Sequence, residues 1–237
     1  VSLESNFLCE LMRAFLTGDR IRSVPRQLDL TELQRLLVNH KVATTFAPVM
    51  IESGMDAEFC KKLARASAVA GQNNTIMLLE LTRFLEKLKQ AQCTPVVLKG
   101  AGLAQAIYPS IDQRFFADLD ILVPLDKVVM ARKILEELGY VPSETPASIE
   151  YYAKHHFHLI MISPGGITVE VHWNLTPPNS NYQFNIERFS SRARTIGTPN
   201  GPILIPNPTD QLLHCVFQNI ADGFSGLRRV IDASLIL

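Results

Sequence analysis

The sequence predicts an α+β fold, in which a core with a mixed β-sheet lies between N-terminal and C-terminal helical regions. Apolar residues recur at helical spacing up to about residue 90, and this part contains no strand pattern. Short apolar or alternating segments, bounded by glycine and proline, then predict strands up to about residue 205. Helical periodicity returns after Thr209, which we predict to cap the next helix.

The N-terminal region is predicted to be helical. One stretch with helical spacing contains Phe7, Leu8, Leu11 and Phe15. A second follows Thr31, a predicted N-cap, and contains Leu33, Leu36 and Leu37. The long segment 57–90 carries an apolar stripe made of Leu78, Leu81, Leu85 and Leu88. Because its heptads are not sustained, a packing helix is favoured over a coiled coil that binds a partner.

The first strand patterns occur in the middle of the chain. Residues 95–98 form a short apolar run, which a turn over residues 99–102 connects to a helical stretch over 103–108. Residues 117–123 alternate between polar and apolar, as in a strand with one buried face. An amphipathic helix is predicted over residues 125–138.

The rest of the chain reads as two hairpins and two helices. Residues 156–162 and 167–173 are strand candidates joined by a Ser-Pro-Gly-Gly turn, which predicts an antiparallel hairpin. Smaller strand candidates flank the turn at residues 198–201. Helices are predicted over residues 210–220 and 227–237.

These patterns divide the chain into three regions. We predict an N-terminal helical region over residues 1–92 and a core over residues 93–175. A hairpin and a helical extension follow over residues 176–237.

The composition is that of a globular protein. The 237 residues suffice for a large core and exclude mini-protein and collagen-like classes. Hydrophobic residues make up 47% and charged residues 19%, below the roughly 25% usual for soluble domains, so much of the chain should be buried. Lys plus Arg and Asp plus Glu both number 23, so the net charge attracts neither nucleic acid nor anionic lipid. Any anion site must be local.

The cysteines and the chain termini bear on localisation. The four cysteines lack the close spacing of a zinc site or a disulfide framework, which predicts reduced thiols in a cytoplasmic protein; they are Cys9, Cys60, Cys93 and Cys215. No uncharged apolar run reaches the ~18 residues of a membrane span, and Glu4 and Glu10 lie where a signal peptide would be basic. Because the chain opens on Val1 and stops at Leu237 inside an apolar stretch, we expect a trimmed chain or a fragment.

Two carboxylates lie two residues apart on a predicted strand. Asp118 and Asp120 alternate with the apolar Leu119 and Ile121, so both side chains leave the same face. Isolated carboxylates this close repel and raise each other's pKa, whereas a divalent cation between them reverses that effect and makes the pair favourable. Mg²⁺ is the expected ion, because it prefers hard oxygen ligands. A solvated edge strand without a metal is the alternative.

Two further features make a catalytic site more plausible than an edge strand. Lys99, Gly100 and Ala101 lie where a strand enters a helix, so free backbone N–H groups offer an anion site beside a lysine. Glu170 and His172 lie on the polar face of a strand that is otherwise apolar. A phosphate site, two metal-binding aspartates and a third carboxylate are the parts needed to transfer a nucleotidyl group.

Three motifs resemble the uncharacterised bacterial branch of the nucleotidyltransferase superfamily, whose core is the DNA polymerase β-like nucleotidyltransferase fold. The motifs are Leu98-Lys99-Gly100, Arg114-x-x-x-Asp118-x-Asp120 and Glu170-x-His172-Trp173. In the superfamily a Gly-Ser turn precedes an Asp-x-Asp pair, and a third acid follows on a later strand. The resemblance covers about residues 94–175 and implies a nucleotidyltransferase-type core.

The resemblance also implies roles for individual residues. Asp118 and Asp120 would hold Mg²⁺ and the nucleoside triphosphate, and Glu170 would complete the metal site or act as the base. Two positions depart from the superfamily pattern. Ala101 stands where a serine is usual, with Lys99 as the candidate to compensate, and the third acid is Glu rather than the commoner Asp.

Arg114 and His172 are further candidates. Arg114 precedes the predicted Asp-x-Asp strand, where a guanidinium suits phosphate or pyrophosphate; a surface ion pair is the alternative. His172 is a candidate to orient Glu170 or to contact the acceptor, and a structural histidine is the alternative.

A histidine cluster and two aromatic residues complete the candidates. His155, His156 and His158 suggest a zinc site, with His156 and His158 on one strand face. No fourth ligand is nearby in sequence, so the zinc interpretation is not favoured. Phe115 and Phe116 are expected in the core or a pocket wall.

The sequence therefore predicts a Mg²⁺-dependent nucleotidyltransferase. It would move a nucleoside monophosphate from a nucleoside triphosphate to a hydroxyl of a small-molecule or protein acceptor and release pyrophosphate. A tRNA end is not favoured, because a basic, aromatic-rich stripe is missing from the sequence. A catalytically weak or inactive nucleotide-sensing or protein-binding module is the alternative, motivated by Ala101 and Glu170.

Overall fold

A computed structural model of the protein describes residues 1–144 and 149–237. These residues form two compact units. The helical unit contains Val1–Thr75, Leu103–Phe115 and Leu212–Leu237, and the sheet unit contains Ile76–Gly102 and Phe116–Gln211. The three predicted regions stay a prediction.

The secondary structure confirms the predicted α+β class. The helices are α1 (Leu3–Thr17), α2 (Leu30–Asn39), α3 (Ala43–Glu52), α4 (Ala57–Gln90), α5 (Lys99–Ala106), α6 (Val128–Glu137), α7 (Ile149–His155), α8 (Ile186–Ser191), α9 (Pro208–Ala221) and α10 (Leu227–Ile236). Short 3₁₀ turns occur at Ile111–Gln113 and Leu125–Lys127. The strands are β1 (Val96–Val97), β2 (Asp118–Leu122), β3 (Val141–Pro142), β4 (His158–Ile162), β5 (Thr168–His172), β6 (Arg194–Ile196) and β7 (Ile203–Ile205).

The helical unit is held together by a continuous apolar core. The predicted helical faces supply it, and its most buried members include Leu11, Leu33, Leu37, Phe46 and Met50. Each of these side chains is removed from water on folding, which is the main favourable contribution to packing.

Two predicted helix caps lie two residues too far along the chain. Asp29, not Thr31, caps α2, because its carboxylate accepts hydrogen bonds from the backbone N–H groups of Thr31 and Glu32. The helix predicted to follow Thr209 begins at Pro208, a residue well suited to the first helical position. The side chain of Asn207 accepts a hydrogen bond from the Asp210 N–H and caps that helix.

The sheet is mixed, as predicted. Within the described residues its seven strands lie in the order β3-β4-β5-β2-β1-β7-β6. β2 pairs with β5 and β1 with β7 in parallel, whereas β4 pairs with β5 and β6 with β7 as the two predicted antiparallel hairpins. The short strand β3 and the helix α7 were not predicted.

One predicted turn is the start of a helix. Helix α5 begins at Lys99 and is separated from β1 by Leu98 alone, so the residues predicted as a turn form its first turn. Glycine is a weak helix former, which is why Gly100 and Gly102 suggested a turn. A Cβ at Gly102 would lie 3.0 Å from the carbonyl oxygen of Val97, so close packing against β1 requires glycine there.

Two further findings concern the cysteines and membranes. The four cysteines are free thiols, as predicted. Among the described helices, none has both the length and the apolar character that crossing a membrane requires.

Candidate active site

The register of three adjacent strands brings four polar residues to one face of the sheet. Asp120 on β2 is paired with Glu170 on β5, and His172 on β5 is paired with His158 on β4. Paired residues on neighbouring strands place their side chains on the same face. The intervening apolar residues, such as Val171, are fully buried on the other face. The predicted alternation of β2 and β5 is therefore confirmed.

Lys99 lies in the centre of this polar group. Its Nζ donates a hydrogen bond to Oδ1 of Asp120 and lies 3.4 Å from Oε2 of Glu170 and 3.5 Å from Nε2 of His172. The backbone of Lys99 has a φ of +43°, in the left-handed region that non-glycine residues rarely adopt. Such strain costs of the order of 1–3 kcal/mol and concentrates at functional sites.

His172 connects the two acidic residues. Its Nε2 lies 2.9 Å from Oδ1 of Asp120 and 3.1 Å from Oε2 of Glu170. The residue is only 1% exposed, so these two contacts fix the ring. We name Lys99, Asp120, Glu170 and His172 the acidic cluster.

Opposite charges in the acidic cluster stabilise one another. Burial alone would lower the pKa of Lys99, but the carboxylates of Asp120 and Glu170 outweigh it and raise that pKa. Burial would raise the pKa of Asp120, yet Lys99 and His172 hold that pKa well below its usual range. Burial would lower the pKa of His172, but its hydrogen bonds to the two carboxylates raise it.

Asp118 lies at the edge of this arrangement. It is partly exposed, at the start of β2, and its charge contributes to the raised pKa of Lys99. Asp120 is not an isolated carboxylate, because the ammonium of Lys99 forms an ion pair with it and lowers its pKa.

The carboxylates fit a divalent cation. Oδ2 of Asp120 is buried and has no hydrogen-bond partner among the described residues. A buried carboxylate oxygen without a partner is costly, and a cation is one group that removes the cost. Asp118 and Glu170 supply further oxygen atoms at the same face, and oxygen is the ligand that Mg²⁺ prefers.

Gly100 and Ala101, which follow Lys99 in the first turn of α5, are tightly packed. A Cβ at Gly100 would collide with the Cβ of Phe116 and lie 3.1 Å from its Cγ. Phe116 is 2% exposed, in agreement with its predicted place in the core, whereas Phe115 is exposed. Ala101 is 1% exposed, so the methyl group that replaces the usual serine hydroxyl is buried.

Arg114 belongs to the helical unit and forms a buried ion pair there. Its guanidinium donates two hydrogen bonds to the carboxylate of Asp232, at 2.8 and 2.7 Å, and one to the carbonyl of Phe115 at 2.6 Å. Tyr108 donates to the same carboxylate at 2.7 Å. The alternative prediction of a surface ion pair is wrong about its location. The Arg114 and Asp232 side chains are only 5% and 2% exposed, so the ion pair is buried. A phosphate contact by Arg114 stays a prediction.

Asp232 and Tyr108 were not identified as partners of Arg114. Asp232 lies 118 residues from Arg114 in sequence, and no local pattern links residues so far apart. The available signal was the position of Asp232 beside the apolar Ile231 on α10, because buried charges require partners.

The three predicted zinc ligands do not come together. The ring of His156 stacks on Tyr152, and the ring of His155 lies against Tyr151. The strand predicted to begin at His156 begins at His158, so the two histidines do not share a strand face. Only His158 of the three joins other metal-ligating side chains in the described part of the chain.

A sequence model of the family described as "Uncharacterised nucleotidyltransferase" matches residues 26–237. No curated protein matches the chain significantly.

The solved structures that match this chain have low sequence identity to it. The structure of ANT(2")-Ia in complex with adenylyl-2"-tobramycin is 10% identical, with 68% of this chain and 87% of that chain covered and a TM-score of 0.49. The lincosamide antibiotic adenylyltransferase LnuA, lincomycin-bound, is 16% identical, with 64% and 94% covered and a TM-score of 0.46. A nucleotidyltransferase-like protein from Paracoccidioides brasiliensis is 13% identical, with 70% and 76% covered and a TM-score of 0.44.

Proposed function

Because the chain belongs to the family of uncharacterised nucleotidyltransferases, we propose that it transfers a nucleoside monophosphate from a nucleoside triphosphate to an acceptor hydroxyl. One observation supports this reaction above the others. The carboxylate of Asp120 is buried with one oxygen unpartnered, opposite Glu170 and beside Lys99. An acidic pair with a lysine suits a metal-bound triphosphate.

Each residue of the site has a proposed role. Asp118, Asp120 and Glu170 would hold Mg²⁺, which would neutralise charge on the phosphates. Lys99 would exchange part of its contact with the carboxylates for a contact with phosphate. His172 is a positioning residue, since its Nε2 holds Asp120 and Glu170 at fixed distances.

The reaction is a displacement at the α-phosphorus. The acceptor oxygen forms a bond to that phosphorus, and the bond from the phosphorus to the bridging oxygen breaks. Pyrophosphate leaves with the electron pair of the broken bond. Glu170, whose side chain is 19% exposed, is the cluster member that would take the proton of the hydroxyl.

The proposed acceptor is a small molecule or a protein. The chain has 23 basic and 23 acidic residues, so it offers little general attraction for a long nucleic acid. A tRNA end would need a local basic patch and is not favoured.

A nucleotide-sensing module is the second candidate. The buried methyl group of Ala101 favours it, because the hydroxyl that usually contacts phosphate at this turn is replaced. The acids at positions 118, 120 and 170 argue against it, since loss of activity usually removes a metal ligand first.

Isotope transfer tests the proposed function. The protein is incubated with Mg²⁺, cell extract and ATP, CTP, GTP or UTP labelled at the α- or the γ-phosphorus, and the small-molecule, protein and RNA fractions are counted. Transfer of the α label alone, with release of pyrophosphate, is expected. Transfer of the γ label would overturn the reaction class, and tight binding without any transfer would support the sensor.

A further inference from the structure

We propose that His158, Glu170 and His172 form a binding site for a divalent transition-metal ion, of which Zn²⁺ is the strongest candidate. This site is additional to the proposed Mg²⁺ ligands Asp118 and Asp120, with Glu170 shared between them. The inference does not require that the protein transfers nucleotides.

The strand register brings the two histidines together. His158 on β4 and His172 on β5 are directly paired in an antiparallel register, and their ring centroids are 5.0 Å apart. Glu170 lies two residues before His172 on the same strand and therefore on the same face. The three side chains thus come from two paired strands rather than from loops.

The ligand atoms are close enough to share an ion. One ligand atom from each of the three residues lies within 4.8 Å of the other two. Nε2 of His172 and Oε2 of Glu170 are 3.1 Å apart and joined by a hydrogen bond. A metal ion would displace the proton between them, and His172 would give up its hydrogen bonds to Glu170 and Asp120 when it binds the ion. Small side-chain movements would bring His158 to the same ion.

The donor set favours zinc over magnesium. Two imidazoles and one carboxylate, with a coordination position left open, are a known ligand set for Zn²⁺. Mg²⁺ prefers oxygen ligands and seldom accepts nitrogen. Nδ1 of His158 is also buried without a hydrogen-bond partner among the described residues, and a metal ion is one group that can bind such a nitrogen.

Lys99 opposes a metal ion at this site. Its Nζ lies 3.4 Å from Oε2 of Glu170 and 3.5 Å from Nε2 of His172, so the ammonium must move when a cation binds. Removing this charge should increase zinc affinity. Lys99→Met therefore provides a test in which the expected change is a gain rather than a loss.

The test is a calorimetric titration of chelator-treated protein with ZnCl₂ and, separately, MgCl₂, without nucleotide. Wild-type protein should bind one Zn²⁺ per chain more tightly than Mg²⁺. His158→Gln and Glu170→Gln should weaken zinc binding at least about tenfold, because even outer-shell changes cost roughly 10–100-fold. Lys99→Met should bind zinc more tightly than wild type.

His156→Gln is the matched control, because His156 is a neighbouring histidine outside the group. It should bind zinc as wild type does. Absorption of the Co²⁺ form should lack a thiolate charge-transfer band, which excludes binding through the exposed Cys9. Circular dichroism checks the fold of each variant, and Glu170→Gln carries the test if His158→Gln unfolds.

Equal zinc affinity in His156→Gln, His158→Gln and Glu170→Gln would overturn the inference, as would zinc binding no tighter than magnesium binding. The proposed function is judged separately, by nucleotide transfer with Mg²⁺. Zinc binding without transfer would leave this site in place and remove only the proposed reaction.

Discussion

Asp120 lies directly opposite Glu170, on the parallel strands β2 and β5. Two carboxylates at this separation would repel each other, yet Lys99 contacts both and His172 lies within 3.1 Å of both. The protein therefore carries its own positive charge at the position where metal-bound phosphate is proposed to bind. This arrangement of charges has consequences that can be measured.

Lys99→Ala should destabilise the metal-free protein by about 1.5–3 kcal/mol, because the variant leaves buried carboxylates without their charged hydrogen bond. Mg²⁺ should reduce the difference from wild type, because the variant lacks the ammonium that competes with the cation for the carboxylates and should bind Mg²⁺ more tightly in the folded state. The same variant should weaken triphosphate binding by about 1.5–3 kcal/mol. Urea unfolding with and without Mg²⁺, and nucleotide titration, measure these effects.

Lys87→Ala is the control for this prediction, because Lys87 is exposed on α4 in the same unit. It should change stability by no more than about 0.5 kcal/mol. If Lys99→Ala behaved like this control in both measurements, Lys99 would have no role in the site.

Arg114→Met should cost about 3–5 kcal/mol of stability, because it leaves the carboxylate of Asp232 buried with only Tyr108 as a described hydrogen-bond donor. Arg132→Met is the control, since Arg132 forms a more exposed pair with Glu136 and should cost about 1 kcal/mol or less. Urea unfolding measures both. A small loss of stability together with weaker triphosphate binding would instead assign Arg114 to phosphate.

Gly100→Ala should destabilise the protein by about 1–3 kcal/mol, because the added methyl group collides with Phe116 in a packed core. Gly197→Ala is the control, since nothing lies within 4 Å of its added Cβ. Thermal melts compare the two variants. Equal melting temperatures would show that the backbone at Gly100 has room for a side chain.

Cys215 should resist modification in the native protein. Burial, with the nearby Asp232, raises the pKa of its thiol to about 12, so its thiolate fraction at pH 8 is roughly 10⁻⁴. A thiol reagent should therefore label the exposed Cys9 first, and Cys215 only after denaturation or at much higher pH. Peptide mass spectrometry follows each site, and equal labelling rates at pH 8 would contradict the packing of α9.

The sequence predicted the faces of the site better than its contacts. Alternation along β2 and β5 correctly placed Asp118 with Asp120 and Glu170 with His172, because side-chain direction in a strand has a fixed period of two. The predicted hairpin also correctly made β4 the antiparallel neighbour of β5.

Other features depend on tertiary packing and could not be predicted. The need for glycine at position 100 was not visible in the sequence, because it comes from contact with Phe116, 16 residues later in the chain. The contact of Lys99 with Asp120 depends on how α5 leaves β1, and the pairing of Arg114 with Asp232 spans 118 residues. Local patterns contain no information on such distances.

The central claim is that the carboxylates of β2 and β5 hold a Mg²⁺-bound nucleoside triphosphate. The most direct test is triphosphate titration with and without Mg²⁺ of wild type, Asp118→Asn and the control Asp126→Asn, an exposed aspartate of the same unit. Wild type and Asp126→Asn should bind triphosphate more tightly with Mg²⁺, whereas Asp118→Asn should stay folded and lose that enhancement. Enhancement by Mg²⁺ that is equal in all three proteins, or missing from wild type, would contradict the account.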